Sequence, residues 1–168
     1  MSKHGPCMSA NITVLHVDDE PGLAELTATY LERHDDRLSV ETVTSGEDAL
    51  ASLKAGDCQP QCIVSDYDMP GMDGLELLET VRQEFPDLPF VLFTGRGSEE
   101  VASEAISVGV SDYLEKESGT EQYELLATRI TNLVATRRAK KRADRQENLM
   151  RQSATLSSTA GWELDTDS

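Results

Sequence analysis

Five short apolar runs, each followed by a segment with helical periodicity, constrain the fold of this 168-residue chain most strongly. A strand buried on both faces of a parallel sheet is almost continuously apolar, whereas a helix repeats its apolar residues every three to four positions. Alternation of strand and helix predicts a parallel sheet with helices on both faces and right-handed crossovers. We therefore predict an α/β fold, a five-stranded parallel sheet in the flavodoxin-like order 2-1-3-4-5. The expected strands are Ile12–Val17, Leu38–Val43, the run that ends at Asp66, Phe90–Thr94 and Asp112–Leu114.

Capping and breaking residues mark the predicted helices between these strands. Pro21 suits the first turn of a helix, Ser45 suits an N-cap, and Gly109 suits the end of a helix over Glu99–Val108. The helical pattern of the last segment continues through about Gln152, so we predict an extended C-terminal helix. The expected inward faces are Leu23, Leu26, Thr27, Tyr30 and Leu31 in the first helix, Leu75, Leu78, Val81 and Phe85 in the third, and Leu126, Ile130, Leu133 and Val134 in the last.

Charged and polar side chains follow the ends of four predicted strands. Asp18 and Asp19 follow the first strand, Asp66 the third, Thr94 ends the fourth, and Lys116 follows the fifth. Because the carboxyl ends of parallel strands meet at one edge, we expect these side chains to converge. Three close carboxylates repel one another, and a bound divalent cation relieves that repulsion. Oxygen donors without a suitable His or Cys favour Mg²⁺ (or Mn²⁺) over Zn²⁺.

This ordered set of residues resembles the receiver domain of two-component response regulators. The resemblance covers about residues 11–135 and implies a phosphoacceptor that takes a phosphoryl group from a sensor histidine kinase and switches its surface to signal. It implies self-catalysed phosphoryl transfer and slow autodephosphorylation rather than turnover as an enzyme. The residues that carry it are Asp18-Asp19, the run from Asp66 to Gly74 with Met69-Pro70 and Met72-Asp73-Gly74, Thr94, and Tyr113 three positions before Lys116.

The resemblance also implies roles for the site residues. Asp66 would be the phosphoacceptor, and Mg²⁺ would be bound by Asp19, Asp66 and the backbone carbonyl of Asp68, with Asp18 acting mainly through water. Lys116 and Thr94 would contact the phosphoryl group, and Tyr113 would follow Thr94 inward as a switch.

Two positions near the site are specific to this sequence. Asp68 and Arg96 occupy positions that tune acyl-phosphate lifetime in the family, and we hypothesise that they pair across the mouth of the site. In the family a proline in a cis peptide usually follows the lysine, but here Glu117 follows Lys116. A cis bond to a non-proline residue costs about 3–4 kcal/mol, so we expect a trans bond and a differently placed loop.

Charge is spread unevenly along the chain. Residues 1–136 hold 26 acidic and 8 basic residues, whereas residues 137–168 hold 5 acidic and 7 basic residues. An acidic body repels phosphates, so we expect no nucleic acid binding by this region. Lysine is scarce beside arginine and the acids, a balance that resembles proteins of salt-loving archaea; an ordinary acidic domain is the alternative.

The remaining features favour a cytoplasmic protein. No apolar run is long enough to span a membrane, and residues 1–11 have no apolar core of a signal peptide. Cys7, Cys58 and Cys62 have no metal-binding spacing and are expected to be reduced thiols. His16, in the middle of the first strand, is expected to be a core histidine with satisfied nitrogens rather than a ligand.

The composition divides the chain into four regions. We predict a disordered N-terminus over 1–10, a receiver domain over 11–135, a basic helical extension over 136–152, and a linker over 153–168 that ends in a possible start of a PAS sensor domain. The PAS resemblance rests on Gly161-Trp162-Glu163-Leu164-Asp165. Partners beyond the kinase would be a downstream protein or further sensor domains. Weak homodimerisation through the extension is a hypothesis.

Two other functions compete with the receiver interpretation. Asp66-Tyr67-Asp68 has the Asp-x-Asp form of haloacid-dehalogenase-like phosphatases. In that family the nucleophile lies on the first strand with metal acids downstream, whereas here Asp18-Asp19 come first and no acidic pair follows Lys116. A receiver-like scaffold that is never phosphorylated is disfavoured because all five site residues are present.

Overall fold

The structure is a computed structural model that describes residues 11–56, 59–95, 99–117 and 119–161. A five-stranded sheet has the order β2-β1-β3-β4-β5, and every neighbouring pair is parallel. The predicted strand order is therefore confirmed. The strands are β1 (Ile12–Val17), β2 (Leu38–Val43), β3 (Cys62–Ser65), β4 (Phe90–Thr94) and β5 (Asp112–Glu115).

The helices begin and end where their capping residues predict. Ser45 caps its helix by accepting a hydrogen bond from the amide of Asp48 (3.0 Å), and Gly109 follows its helix with a φ of 111°. A left-handed φ of this kind favours glycine at a helix end. The helices are α1 (Pro21–His34), α2 (Gly46–Ala55), α3 (Gly74–Glu84), α4 (Glu99–Val108) and α5 (Glu121–Gly161).

Helix α5 continues beyond its predicted end. It ends at Gly161 rather than near Gln152, so residues 153–161, for which the sequence predicts a linker, are helical. That stretch contains no proline, and its first glycine is Gly161, so no residue before that point breaks the helical backbone. The chain forms two compact units, of which the first ends at Val134 and the second begins at Ala135.

The sheet buries a separate apolar cluster on each face. Alternate side chains of a strand point to opposite faces, so Val14 and Phe93 lie in the cluster covered by α1 and α5. Leu15 and Leu92 lie in the cluster covered by α2, α3 and α4. Burial on both faces explains why these strands read as continuous apolar runs.

Two predicted helix faces need correction. In α1, Leu23 and Leu26 are 40% and 42% exposed, whereas Ala24 is buried beside Thr27 and Leu31. The small Ala24 turns toward the sheet, and this rotation moves the two leucines toward solvent. In α3 the face is shifted likewise: Leu77 is buried with Leu78 and Val81, while Leu75 and Phe85 are only partly buried.

His16 is buried as predicted, but its nitrogens are not satisfied. Neither ring nitrogen has a hydrogen-bond partner among the described residues, so the expectation of a satisfied histidine is wrong. Burial lowers its pKa from 6.5 to about 4, with Asp18 opposing and Lys116 reinforcing the shift. The ring is therefore neutral and serves as a core side chain.

Acidic side chains cap backbone amides on both edge strands. On β2, the amide of Val40 donates to Glu32 Oε2 of α1 at 2.9 Å. On β5, the amide of Tyr113 donates to Asp112 Oδ1 at 2.8 Å, and Asp112 also pairs with Arg129 of α5 at 2.6 Å. Both edge strands thus have one amide satisfied by a side chain.

Candidate functional site

Three aspartates meet at the carboxyl edge of the sheet. Asp18 and Asp19 directly follow β1 and Asp66 follows β3, and these strands are neighbours. One carboxylate oxygen of each residue lies within 4.8 Å of the others. Asp18 is fully buried, whereas the Asp66 side chain is 14% exposed and the Asp19 residue is partly exposed. The predicted convergence of these side chains is therefore present.

Backbone amides orient two of the carboxylates. The amide of Tyr67 donates to Asp66 Oδ1 at 2.7 Å, and the amide of Glu20 donates to Asp18 Oδ1 at 3.0 Å. The amide of Asp66 donates in turn to the carbonyl of Val17 at 2.9 Å, which ties the loop to β1. Each carboxylate is thus held through one oxygen and keeps Oδ2 for other contacts.

Lys116 lies against the two Oδ2 atoms. Its Nζ is 3.1 Å from Asp18 Oδ2 and 3.7 Å from Asp66 Oδ2, and its side chain is 22% exposed. Its amide donates to the carbonyl of Thr94 at 3.0 Å, and its peptide bond to Glu117 is trans. The expectation of a trans bond is confirmed, and the ammonium partly compensates the three carboxylates.

Thr94 and Tyr113 lie on the neighbouring strands β4 and β5, which lead to the Lys116 side of the site. Thr94 ends β4 and is fully buried. Tyr113 packs against the apolar cluster under α2, α3 and α4, and its buried hydroxyl has no hydrogen-bond partner among the described residues. Burial, assisted by the negative charge of Glu115, raises the pKa of Tyr113 above its usual value. The ring therefore already packs inward in this structure.

Close packing fixes the loop after Asp66, and sequence reasoning missed this contact. A Cβ added at Gly74 would lie 2.4 Å from the carbonyl oxygen of Asp66 and 2.9 Å from the Cα of Tyr67. Directly before it, Asp73 caps α3 by accepting from the amide of Glu76, while Glu76 accepts from the amide of Asp73. The glycine of the Met72-Asp73-Gly74 motif was the sequence signal for a close contact, but only the fold shows which atoms Gly74 approaches.

Of the predicted pair Asp68 and Arg96, the structure describes only Asp68. Asp68 is exposed, two residues after Asp66. Arg96 lies outside the described residues, so the predicted contact between them stays a prediction.

The donor set fits a hard divalent cation. Carboxylate oxygens of Asp18, Asp19 and Asp66 are close enough to share one ion, and oxygen is the donor that Mg²⁺ prefers. Lys116 compensates only part of their charge, which leaves a net negative pocket. A cluster with net negative charge attracts a cation.

Sheet order and helices on both faces define a flavodoxin-like α/β domain, with an acidic cluster at the carboxyl edge of its sheet. Residues 14–128 match a family model described as the response regulator receiver domain. The chain belongs to the response regulator receiver domain family. The receiver function predicted from the sequence is confirmed at the level of this family, and the phosphatase alternative is not favoured.

Individual relatives agree with this assignment. The chain is 35% identical over 127 residues to the nitrogen assimilation regulatory protein NtrX of Azorhizobium caulinodans, covering 74% of this chain and 27% of NtrX. It is 36% identical over 118 residues to the C4-dicarboxylate transport transcriptional regulatory protein DctD of Pseudomonas aeruginosa, covering 69% of this chain and 24% of DctD. The chain thus matches about a quarter of the length of either regulator.

A solved receiver structure agrees in fold. The signal receiver domain of a putative LuxO repressor protein from Vibrio parahaemolyticus superposes with a TM-score of 0.69 at 26% identity, covering 79% of this chain and 97% of that one. In the part of the chain that the structure describes, no helix has the length and apolar character needed to cross a bilayer.

Proposed function

We propose that this chain accepts a phosphoryl group on Asp66 from the phosphohistidine of a sensor histidine kinase. The observation that carries the proposal is the cluster of three carboxylates with Lys116 Nζ 3.1 Å from Asp18 and 3.7 Å from Asp66. A carboxylate beside a lysine at the carboxyl edge of a parallel sheet is suited to phosphoryl transfer by positioning and charge neutralisation.

The transfer uses the free oxygen of Asp66. Oδ1 is held by the amide of Tyr67, so Oδ2 is the nucleophile. Its attack on phosphorus forms the acyl phosphate bond as the phosphorus–nitrogen bond of the phosphohistidine breaks, and the electron pair leaves with the imidazole. Lys116 then pairs with the phosphoryl oxygens that arrive beside it, and the Thr94 hydroxyl donates to the same group. The chain catalyses its own phosphorylation and slow dephosphorylation but does not turn over a separate substrate.

Mg²⁺ (or Mn²⁺) would be held by Asp18, Asp19, Asp66 and the backbone carbonyl of Asp68. When bound, the ion neutralises phosphoryl oxygens. Asp18 is already engaged with Lys116 and the amide of Glu20, which supports the interpretation that it acts through water rather than directly.

The output is a change in the surface near β4 and β5. Thr94 would turn toward the acyl phosphate and Tyr113 would follow it; the Tyr113 hydroxyl is buried without a partner among the described residues. Phosphorylation therefore stabilises the inward position of Tyr113, as a two-state switch biased by added charge.

Asp68 and Arg96 would pair and shield the acyl phosphate from water. On this basis Arg96→Ala shortens the lifetime of the phosphorylated protein, and an unchanged dephosphorylation rate would contradict the pairing.

The rest of the chain suggests the wider setting. We assign residues 1–10 to an N-terminal segment, 11–135 to the receiver and 136–152 to a basic extension. Residues 153–168 would connect the extension to a PAS-like domain. Of these regions, residues 1–10 and 162–168 lie outside the described part of the chain. The receiver's acidity opposes nucleic acid binding, so the signal passes to a downstream protein or to sensor domains. We also propose that the protein is cytoplasmic and adapted to high salt, and that it dimerises weakly through the extension.

Intact mass after incubation with acetyl phosphate and Mg²⁺ tests the phosphoacceptor. We expect one added phosphoryl group that is absent in Asp66→Asn and without Mg²⁺. Asp87→Asn, a change of an exposed aspartate in the loop before β4, is the matched control and should be phosphorylated like the wild type. If neither acetyl phosphate nor a kinase phosphohistidine transfers its group, the chain is a non-phosphorylated scaffold.

A further inference from the structure

Three aromatic rings from three elements form a continuous column that reaches the site lysine. Tyr30 of α1 stacks on Tyr123 of α5, with ring centroids 4.9 Å apart and planes 5° apart. Tyr123 meets Phe93 of β4 edge to face, with centroids 6.3 Å apart and planes at 64°. Lys116 Nζ lies over the Phe93 ring at 5.7 Å from its centroid. We call Phe93, Tyr123 and Tyr30 the aromatic column.

We propose that Phe93 is a positioning residue that holds the Lys116 ammonium at the phosphoacceptor pocket, and that Tyr123 fixes the orientation of its ring. The proposal deepens the phosphoryl-transfer function above and rests on it for its kinetic consequence. The contact itself, between an ammonium and the face of an aromatic ring, exists without any phosphate.

The position of Lys116 in the fold explains why such support is needed. Lys116 directly follows β5, and its backbone amide is bonded to the Thr94 carbonyl, but its long side-chain stem has high rotamer freedom. Phe93 is 1% exposed and cannot move aside. The face of an aromatic ring carries partial negative charge. It therefore attracts a cation that lies within about 6 Å of the ring centroid. A leucine of similar burial would pack the core but would not attract the ammonium.

Tyr123 and Tyr30 restrict the orientation of the Phe93 ring. An edge-to-face partner prevents the Phe93 ring from turning its edge toward Lys116, and aromatic pairs prefer this arrangement. Tyr123 is itself held by parallel stacking on Tyr30, which lies on a different helix. Through these contacts, the direction of the Lys116 side chain depends on how α1 and the first turn of α5 pack beside β4.

Rates of phosphorylation by acetyl phosphate with Mg²⁺ test the kinetic part. Phe93→Leu should slow the reaction about threefold to tenfold, as loss of one cation–π contact implies. The matched control is Phe90→Leu, which removes a fully buried ring from the same strand but from the opposite face of the sheet. Equal rates in the two variants would overturn the proposal. Tyr123→Leu should slow the reaction less than Phe93→Leu, and Tyr123→Phe should restore it.

Fluorinated phenylalanines at position 93 separate ring charge from packing. Each added fluorine weakens the negative face while keeping the shape of the ring. The logarithm of the rate should therefore fall steadily from phenylalanine to trifluorophenylalanine. A rate that does not depend on fluorination would assign Phe93 a purely structural role and refute the proposal.

A double-mutant cycle tests the contact independently of phosphorylation. Urea unfolding of Phe93→Leu, Lys116→Met and the double variant should give a coupling that changes the unfolding equilibrium constant at least twofold. The same cycle with Phe90→Leu should be additive, since Phe90 and Lys116 lie on different sides of the sheet. If the cycle shows coupling but the wild type is not phosphorylated, the contact is supported and the proposed function is wrong. An additive Phe93 cycle would reject the contact.

Discussion

Gly74→Ala adds one methyl group at the most crowded of the described glycines. The new Cβ would lie 2.4 Å from the Asp66 carbonyl oxygen, 2.9 Å from the Tyr67 Cα and 2.9 Å from Leu92 Cδ1. Two of these three neighbours are backbone atoms, which cannot rotate away as a side chain can. Relief therefore requires the chain of Asp66 and Tyr67 to shift by several tenths of an ångström or more.

The magnitude follows from overpacking in a closed site. Inserting one methyl group into a packed environment costs about 1–3 kcal/mol, and contact with backbone places this case toward the upper end, at about 2–3 kcal/mol. With a urea m-value of about 2 kcal/mol/M, the midpoint of unfolding should fall by about 1–1.5 M. Since the shifted backbone carries Asp66, the rate of phosphorylation should fall as well.

Urea unfolding followed by circular dichroism at constant salt measures this effect. Gly22→Ala is the control without crowding, because no atom lies within 4 Å of its added Cβ, and it should leave stability unchanged or raise it by up to about 1 kcal/mol. Gly56→Ala is the control for strain alone, since its φ is 72° in open space, and it should cost about 1–2 kcal/mol. If Gly74→Ala were as stable as Gly22→Ala, the close approach to Asp66 would be wrong.

Three further variants test local features. Asp73→Ala removes the side-chain acceptor of the Glu76 amide at the start of α3 and should lower the free energy of unfolding by about 1 kcal/mol in urea. His16→Leu should raise it by about 1–2 kcal/mol at pH 7, because two buried nitrogens without partners are removed. Wild type should lose up to about 3 kcal/mol relative to His16→Leu as pH falls from 6.5 to about 4, since the unfolded chain binds the proton first. Asp66→Asn should raise the melting temperature without Mg²⁺, by relieving carboxylate repulsion, and should reduce the rise that Mg²⁺ produces.

Glu76→Gln keeps an acceptor for the amide of Asp73 and should be nearly neutral; a loss equal to that of Asp73→Ala would mean that charge rather than hydrogen bonding stabilises the helix start. Parallel pH dependences of wild type and His16→Leu would show that His16 titrates normally. For Asp66→Asn, the control is Asp87→Asn, and an unchanged response to Mg²⁺ would place the ion elsewhere.

The sheet and the convergence of the site could be predicted because they depend on patterns in the sequence. Strands buried on both faces must be continuously apolar, and the carboxyl ends of parallel strands must share an edge. Asp18, Asp66 and Lys116 therefore had to lie near one another once the strand order was known. Ser45 and Gly109 likewise mark helix ends through backbone chemistry that does not depend on the rest of the fold.

The errors arise where neighbouring elements decide the outcome. Periodicity alone assigns Leu23 and Leu26 to the buried face of α1, but the small Ala24 permits a closer approach to the sheet on another side. The contact between Lys116 and Phe93 joins β4 to the segment after β5, so no local pattern indicates it. The missing hydrogen bonds of His16 depend in the same way on side chains that are distant in sequence.

The acidic caps on β2 and β5 have a consequence for self-aggregation. A parallel sheet of this kind has two open edges, and an unpaired amide on either edge is a template for another molecule's strand. Glu32 occupies the amide of Val40 on one edge, and Asp112 occupies the amide of Tyr113 on the other. A strand that approaches either edge must displace a carboxylate and meet its negative charge. These acidic side chains thus oppose growth of the sheet from molecule to molecule.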